Sequence, residues 1–424
     1  MIPMFEDSEA FAQRLDERDP LRRFRERFEI PPGPGGAPVV YFNGNSLGLM
    51  PASARTALQQ ELDDWSRLAG NAHFRAKTPW YSYHEVFRES GARLVGAVPG
   101  EVVMMNGLTV NLHLMMETFY RPEGERRKIL IEDGAFPSDA YAVASRVVCR
   151  GRNPEDAIVR VAPRDGESLL RTEDVVAAIE REGGALALVL LPGVQYYTGQ
   201  LLDIPSITAA AHAAGAHAGW DLAHAAGNVL LSLHDWNVDF AVWCSYKYLN
   251  AGPGAIAGCF VHERHGANLS LPRLAGWWGN DPATRFRMDE ARTFVPREGA
   301  EGWQLSNPPI LAMAPLKESL ALFDEAGMGS LRHKSIVLTA YLEWLLARSD
   351  PPRFDVITPK DAEQRGCQLS LRARDASGEA LSALDGGEIV VDRRPPDVIR
   401  VAPVPLYNTF HEVWRAARIL QRAP

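Results

Sequence analysis

Residues 216–221, AHAGWD, and residues 239–245, DFAVWCS, decide the fold. Both are short apolar stretches with the length of a β-strand, and KILIED (128–133) and ALALVLLPG (185–193) have the same character. Because these stretches are apolar almost throughout rather than at alternate positions, we expect both faces of each strand to be covered. The pattern therefore predicts a parallel β-sheet with helices on both sides.

Helix-like segments alternate with these strands over residues 52–310. In DIPSITAAAHAAG (203–215), Asp203 is placed as an N-cap, a proline stands in the first turn, and a glycine follows the last turn. Alternating strands and helices predict an α/β fold with right-handed crossovers. They also predict a ligand site at the carboxyl ends of the strands.

The pattern changes near residue 310. A helix-like stretch over 311–347 precedes four segments that read as antiparallel strands, FDVITP, CQLSLRA, EIVVDRR and VIRVAPVPLY. We therefore divide the chain into a large domain (51–310), a small α+β C-terminal domain (311–424) and an N-terminal segment (1–50) that joins the small domain.

Composition narrows the function classes. The chain has 424 residues and a formal net charge of −8, which argues against nucleic acid as the main partner. No apolar run reaches the about 18 residues that a membrane helix needs, and the N-terminus does not resemble a signal peptide. The four cysteines lack CxxC spacing and are expected to be free thiols in a reducing cytoplasm. No HExxH motif occurs, so no zinc site is expected.

The stretch WCSYKYLNAGPG (243–254) places Lys247 between two tyrosines, without an acidic neighbour in sequence. Asp221 and Lys247 each follow a predicted strand, so both are expected at one sheet edge, facing the same crevice. A lysine that reaches solvent from a strand end and a buried salt bridge with Asp221 are two simple interpretations. The third is a pyridoxal phosphate site. There the lysine amine bonds the cofactor aldehyde, and the aspartate keeps the pyridine nitrogen protonated.

A possible phosphate site favours the third interpretation. In MNGLTVNLHLMMETF (105–119), a glycine-containing loop leads into a helix that begins near Thr109. The free N–H groups and the dipole of a helix N-terminus can bind phosphate. An ordinary helix cap by Asn106 or Thr109 is the alternative interpretation.

Two further segments could contact a planar cofactor ring. GAFPSDAY (134–141) offers Phe136 for stacking, with Ser138 and Asp139 as polar contacts, unless it is a plain turn before a capped helix. His224 lies three residues after Asp221 and shares its face if a helix follows the strand. A hydrogen-bonded core histidine is equally compatible with that spacing.

Together these segments resemble the kynureninase family, pyridoxal-phosphate enzymes of the aspartate aminotransferase fold type. The motifs cover nearly the whole chain: YFNGNSLGLMP, LTVNLH, FPSD, GVQYYTGQ, DLAHAAGN, HDWNVDFAVWCSYKYLNAGPG, ATRF, SNPPI, RGCQLS and IRVAPVPLYN. The resemblance implies a fold-type-I enzyme with a mostly parallel central sheet, a cofactor-binding large domain and pyridoxal 5'-phosphate as cofactor. One departure is Pro192, where some members have a serine whose hydroxyl contact would be missing here.

The resemblance also implies roles for individual residues. It implies Lys247 as the Schiff-base lysine and Asp221 as the partner of the pyridinium nitrogen. It implies eight further cofactor contacts: Leu108, Thr109, Phe136, Pro137, Ser138, Asp139, His224 and Tyr246. Trp277 and Asn307 match positions that approach the cofactor or substrate from the partner subunit, so a homodimer with shared active sites is implied.

The family hydrolyses the Cβ–Cγ bond of L-kynurenine or 3-hydroxy-L-kynurenine in tryptophan degradation or NAD biosynthesis. The products are L-alanine and anthranilate or its 3-hydroxy form. Tyr246, beside the lysine, is the candidate acid–base group. Arg400 is the candidate clamp on the substrate α-carboxylate, because its planar fork can donate two hydrogen bonds. Ser46 is a further candidate substrate contact. His73 and Asn307 match ring-pocket positions that favour 3-hydroxykynurenine.

Two other interpretations are weighed. A cysteine desulfurase or an aminotransferase would share the fold, but a desulfurase needs a reactive cysteine on a mobile loop, and none of the four lies in an evident one. A non-catalytic cofactor-binding or regulatory protein would be favoured by the absence of Lys247 or Asp221, or by an appended DNA-binding segment. The sequence shows neither feature.

Overall fold

The computed structural model describes residues 4–287, 293–374 and 383–421. Its strands, in chain order, are β1 (Phe28–Glu29), β2 (Val40–Tyr41), β3 (Met50–Pro51), β4 (Val102–Met104), β5 (Lys128–Glu132), β6 (Ile158–Val161), β7 (Leu186–Pro192), β8 (His217–Asp221), β9 (Phe240–Trp243), β10 (Gly258–Val261), β11 (Phe354–Val356), β12 (Leu369–Ala373), β13 (Ile389–Val390), β14 (Asp392–Arg394) and β15 (Val398–Val401).

The largest sheet has seven strands in the order β4–β10–β9–β8–β7–β5–β6. Strands β9, β8, β7, β5 and β6 pair in parallel, and β10 runs antiparallel to both of its neighbours. The mostly parallel sheet that the apolar stretches predict is confirmed.

Both faces of this sheet are covered. Trp220 and Trp243 point into one apolar core, and Phe240 and Val242 point into a second core on the opposite face. All four side chains are fully buried. Because successive residues of a strand point to opposite faces, burial on both sides explains why the sequence shows continuous apolar runs.

The α-helices are α1 (Glu9–Arg18), α2 (Ala52–Leu68), α3 (Ala72–Arg75), α4 (Arg88–Val95), α5 (Leu108–Phe119), α6 (Pro137–Cys149), α7 (Pro154–Ala157), α8 (Thr172–Glu182), α9 (Ile204–Ala213), α10 (Glu263–Gly266), α11 (Ile310–Ala326), α12 (Met328–Leu346) and α13 (Phe410–Gln421). Helix α9 begins as predicted, because the Asp203 carboxylate accepts a hydrogen bond from the Ser206 amide at 3.1 Å. Across the described ranges, no helix has the length and apolar character to cross a membrane.

The C-terminal strands form a four-stranded antiparallel sheet in the order β11–β12–β15–β14. The segment EIVVDRR is not one strand as predicted, because it divides into β13 and β14. Strand β13 pairs in parallel with β2, near the N-terminus, while β14 joins the small sheet. The division depends on a partner that lies more than 340 residues earlier in the chain, so it has no local signal.

The N-terminal segment is also tied to this sheet's helices. The Asp16 carboxylate accepts hydrogen bonds from the amides of Phe410, at 2.6 Å, and His411, at 3.0 Å, and so caps the start of α13. The Lys334 ammonium on α12 lies 2.7 Å from the Asp19 carboxylate, and both side chains are buried.

The helical character predicted for residues 311–347 is confirmed. The stretch forms two helices, α11 and α12, because Gly327 between them adopts a left-handed φ of 74°. One local prediction is wrong. No helix follows Asp221, and residues 223–228 form turns instead. There the Asp221 carboxylate accepts a hydrogen bond from the Ala223 amide, and the Leu222 amide bonds the carbonyl of Val242 on β9. These bonds hold the start of the segment against the sheet, and the backbone beyond it forms short turns, one of them closed by a bond from the Ala226 amide to the Leu222 carbonyl at 2.9 Å.

Candidate active site

A cavity lies at the carboxyl ends of β5, β7, β8 and β9. Nine of the predicted site residues line it: Leu108, Thr109, Phe136, Ser138, Asp139, Asp221, His224, Tyr246 and Lys247. The register explains their convergence, because the ends of adjacent parallel strands meet at one edge: Asp221 at the end of β8 pairs with Pro192 at the end of β7 and with Val242 of β9.

Lys247 lies four residues beyond the end of β9. Its Nζ is 2.9 Å from Nε2 of His224 and 5.9 Å from the centre of the Phe136 ring. The loop that contains Ser46 packs directly against it. At Gly48 a Cβ atom would lie 2.3 Å from the Lys247 carbonyl oxygen, so only glycine allows this approach. The amine is therefore held at the cavity wall beside an imidazole and an aromatic ring.

Three carboxyl groups, those of Glu132, Asp139 and Asp221, also line the cavity. Burial and the adjacent Asp221 carboxylate raise the pKa of Asp139 well above its usual range. Glu132, the last residue of β5, is 3% exposed, and burial, with a smaller contribution from Asp221, raises its pKa to about 7. Buried like charges resist joint ionisation. A cationic group placed between Asp139 and Asp221 would relieve that repulsion.

His224 and Tyr246 complete the polar lining. Burial, and then the positive charge of Lys247, lower the pKa of His224 well below its usual range. The imidazole is therefore neutral at pH 7, and its buried Nδ1 has no hydrogen-bond partner within the described residues. Burial raises the pKa of Tyr246 above its usual range, so its hydroxyl remains protonated.

The other end of the cavity can accept a phosphate. Helix α5 begins after Gly107 without a side-chain cap, so neither Asn106 nor Thr109 caps it. The side-chain amide of Asn106 instead donates a hydrogen bond to Oδ1 of Asn111 at 3.0 Å. The hydroxyls of Thr109 and Ser138 are hydrogen-bonded to each other at 2.9 Å. Uncapped N–H groups and two hydroxyls form an anion-binding corner.

These groups fit pyridoxal phosphate. The Lys247 amine can bond the cofactor aldehyde, and the Asp221 carboxylate can pair with the pyridine nitrogen. The N-terminus of α5 can bind the phosphate. The partnerless atoms, Nδ1 of His224 and Oδ1 of Asp139, are buried polar atoms that a bound ligand could satisfy.

Arg400 lies next to Tyr196 and behind the cavity lining. Tyr196 lines the cavity, with its ring 5.2 Å from that of Phe136. The Arg400 guanidinium donates to the Tyr196 carbonyl at 2.7 Å and is almost fully buried. Only Tyr196 therefore separates Arg400 from the cavity, and Arg400 is not a surface residue.

Six predicted residues are not among those that line this cavity: Pro137, His73, Trp277, Asn307, Ser46 and Arg400. Pro137 begins α6 behind the lining residues. The His73 imidazole Nδ1 lies 3.0 Å from the Gly70 carbonyl. Trp277 is 41% exposed and Asn307 is exposed. Within one chain, His73, Trp277 and Asn307 are therefore not part of the cavity around Lys247, whereas Pro137 lies between two residues that line it.

Sequence reasoning missed Glu132, Tyr196 and Gln195. The side-chain amide of Gln195 donates to Glu132 at 3.3 Å and to the Gly134 carbonyl at 3.1 Å, and so joins two loops of the cavity. Glu132 carried a usable signal, because it ends an apolar strand as Asp221 does. Tyr196 and Gln195 follow β7 but resemble any polar loop.

The fold is that of pyridoxal-phosphate enzymes of fold type I. A structure of a C-DES mutant with glycine covalently linked to the PLP cofactor matches with a TM-score of 0.78 at 18% identity. The match covers 94% of this chain and 99% of that one. The cysteine desulfurase CsdA from Escherichia coli matches with a TM-score of 0.75 at 18% identity, over 95% and 98% of the two chains.

Sequence comparison defines the family. A family model for the kynureninase C-terminal domain matches residues 331–420. A kynureninase of Myxococcus xanthus is 56% identical over 99% of this chain and 98% of its own length. A kynureninase of Koribacter versatilis is 54% identical over 97% of this chain and 96% of its own length. The chain belongs to the kynureninase family.

Proposed function

We propose that this enzyme uses pyridoxal 5'-phosphate to hydrolyse the Cβ–Cγ bond of L-kynurenine, giving L-alanine and anthranilate. The observation that carries the proposal is the convergence of Lys247, His224 and Asp221 on one cavity in a chain more than half identical to kynureninases. A cysteine desulfurase is disfavoured, because none of the residues described along this cavity is a cysteine.

The cofactor would be held at three points. Thr109, Ser138 and the N-terminus of α5 would bind its phosphate, Phe136 would stack on its ring, and Asp221 would keep a proton on its ring nitrogen. When bound, pyridoxal phosphate supplies an aldehyde for the lysine amine and a ring that accepts electrons. We assign Leu108, Pro137, Asp139 and His224 to the shell around it.

Proton transfer would fall to two neighbouring side chains. The Lys247 amine would remove the proton from the substrate Cα, and the neutral His224 accepts a hydrogen bond from it at 2.9 Å. The protonated hydroxyl of Tyr246 would donate a hydrogen bond to the ketone oxygen as water adds to Cγ, with one water proton passing to that oxygen. When the Cβ–Cγ bond breaks, the hydrated carbon would give up an O–H proton, and Tyr246 would relay that proton to Cβ. Arg400 would hold the α-carboxylate, with Ser46 as a further substrate contact.

We also propose a homodimer with shared active sites. Exposed aromatic side chains form a cluster in which the Trp277 and Phe286 rings lie 5.8 Å apart and the Phe74 and Phe286 rings 6.1 Å apart. Phe286 is 48% and Phe74 is 63% exposed. Such a patch is typical of an interface, and a partner would carry Trp277, Asn307 and His73 toward the second cavity. Light scattering at assay concentration should give a dimer mass, and an active monomer would contradict the proposal.

Finer assignments belong to the same proposal. We infer that the large domain spans 51–310 and the small domain 311–424, with residues 1–50 joined to the latter. We infer a cytoplasmic enzyme of tryptophan degradation or NAD biosynthesis. We also infer that His73 and Asn307 favour 3-hydroxykynurenine over kynurenine.

The deciding experiment is direct. Purified protein supplied with pyridoxal phosphate and L-kynurenine should release anthranilate, detected by its fluorescence, and an equal amount of L-alanine. Lys247→Ala protein serves as the control for non-enzymatic release. Absence of both products in the wild type, with cofactor bound, would refute the proposed function.

A further inference from the structure

Arg400 is a buried cation whose orientation is set by its neighbours. It lies on β15, a central strand of the small sheet, opposite Ser370 on one side and Asp392 on the other. The residue is 1% exposed. A buried guanidinium needs hydrogen-bonded partners.

Asp392 binds one edge of the Arg400 guanidinium. Nε donates to Oδ1 at 3.0 Å, and Nη2 lies 2.9 Å from Oδ2, so the pair is bidentate. The two residues are direct cross-strand partners of β14 and β15, which fixes the geometry through the sheet register. The third contact is from Nη1 to the Tyr196 carbonyl, at 2.7 Å.

A guanidinium has five N–H groups in one plane. Within the described part of the chain, the three contacts leave one N–H on Nη1 and one on Nη2. Nη1 and Nη2 together form the terminal edge of the guanidinium, which is the edge that Asp392 does not occupy. Two parallel N–H groups on one edge match the two oxygens of a carboxylate.

The local charge also suits a carboxylate ligand. Asp392 is shared with a second arginine, since Nε of Arg394 lies 2.7 Å from Oδ1. Two guanidinium groups and one carboxylate leave one positive charge in excess. Both arginines act on the cavity, because their charges contribute, after burial and Lys247, to the low pKa of His224. An α-carboxylate would balance that charge.

We infer that Asp392 is a positioning residue that fixes the Arg400 guanidinium with its Nη1–Nη2 edge presented to the α-carboxylate of the amino-acid substrate. The inference rests on the proposed role of Arg400 as the carboxylate clamp. Without the Asp392 carboxylate, Arg400 and Arg394 repel each other, and the guanidinium loses the partner that fixes its rotation.

The test uses a pair of ligands that differ only in the carboxylate. L-Alanine carries it, and ethylamine is the same molecule without it. The holoenzyme is titrated with each ligand while the visible absorbance of the bound cofactor is followed. In Asp392→Asn protein, the Kd for L-alanine should rise by about 10–100-fold, the change expected when hydrogen bonds to a charged group are lost, while the Kd for ethylamine should stay unchanged.

Two controls separate positioning from general damage. Asp355→Asn removes another Asp–Arg pair of the same sheet, the pair that Asp355 forms with Arg374. Asp355 is on the edge strand β11, two strands away from Arg400, so this change should alter neither Kd. In a double-mutant cycle with Arg400→Lys, the Asp392→Asn change should cause little further loss, because both act through one guanidinium. If Asp392→Asn protein does not hold the cofactor, Asp392→Glu should show the same selective loss to a smaller extent.

The inference would be overturned if Asp392→Asn raised the Kd of L-alanine and ethylamine equally, or changed neither Kd. It would also be overturned if the effects of Asp392→Asn and Arg400→Lys on the Kd of L-alanine were fully additive. Because the comparison needs no turnover, wild-type enzyme that fails to release anthranilate would refute the proposed function alone. With L-kynurenine as substrate, the same variant should raise KM much more than it lowers kcat.

Discussion

Glu132 should make the cofactor-free protein less stable as the pH rises, and Glu132→Gln should remove that dependence. Its pKa is about 7 in the fold against an ordinary 4.5. Between those values the folded carboxyl keeps a proton that the unfolded chain has released, so the free energy of unfolding falls as pH rises. A difference of about 2.5 pKa units at about 1.4 kcal/mol each amounts to about 3 kcal/mol above pH 7.

The assay is thermal unfolding of cofactor-free wild type and Glu132→Gln protein at pH 5 and pH 8.5. An unfolding entropy of about 2.1 cal/mol/K per residue, over 424 residues, converts about 3 kcal/mol into about 3 °C. The variant should therefore match the wild type near pH 5 and melt about 3 °C higher at pH 8.5. Glu173→Gln, which alters an exposed carboxylate in the first turn of α8, is the control and should show no such difference.

An equal shift of the melting temperature at both pH values would refute the reasoning, because it would mean that the Glu132 carboxyl titrates alike in the folded and unfolded chains. A variant less stable at pH 8.5 than the wild type would also contradict it, since the buried carboxylate would then be stabilising rather than costly.

The remaining predictions concern the cavity in the loaded enzyme. Lys247→Ala should abolish the visible absorbance of the lysine-bound cofactor and lower turnover by at least about 10²-fold; near-normal steady-state activity would count against its assignment. Asp221→Ala should weaken cofactor binding and slow Cα deprotonation much more than Asp221→Glu, because only the latter keeps a carboxylate; a fully active alanine variant would disprove this. The wild type should have a higher kcat/KM for 3-hydroxykynurenine than for kynurenine, by about 10-fold for one paired hydroxyl. Apolar replacements of His73 and Asn307 should bring the two kcat/KM values closer together. Equal kcat/KM values for the two substrates in the wild type would contradict the prediction.

Local sequence was sufficient for the elements that position the site. Continuous apolar runs such as ALALVLLPG predict strands covered on both faces, because burial on both sides removes the alternation that a half-exposed strand would show. Asp221 and Lys247 could be assigned to one sheet edge because parallel strands bring their carboxyl ends together whatever the details of packing. Asp203 and Gly215 mark the ends of their helix by local hydrogen bonding and backbone freedom alone.

Only the tertiary structure decided the features that depend on distant partners. The path after Asp221 is a set of turns, because a backbone bond to Val242 holds it on β9. The strand Asp392–Arg394 separates from its neighbour β13, which pairs with residues near the N-terminus. The pKa of Glu132 follows from burial among other carboxyls, which no sequence window contains. In the sequence alone, Asp392 resembles a surface carboxylate in a charged stretch. The pairing of β14 with β15 in the structure shows that it lies opposite Arg400. The sequence by itself determined which groups the site possesses, because their chemistry is local; their orientation and protonation were decided by the fold, because burial and long-range pairing set them.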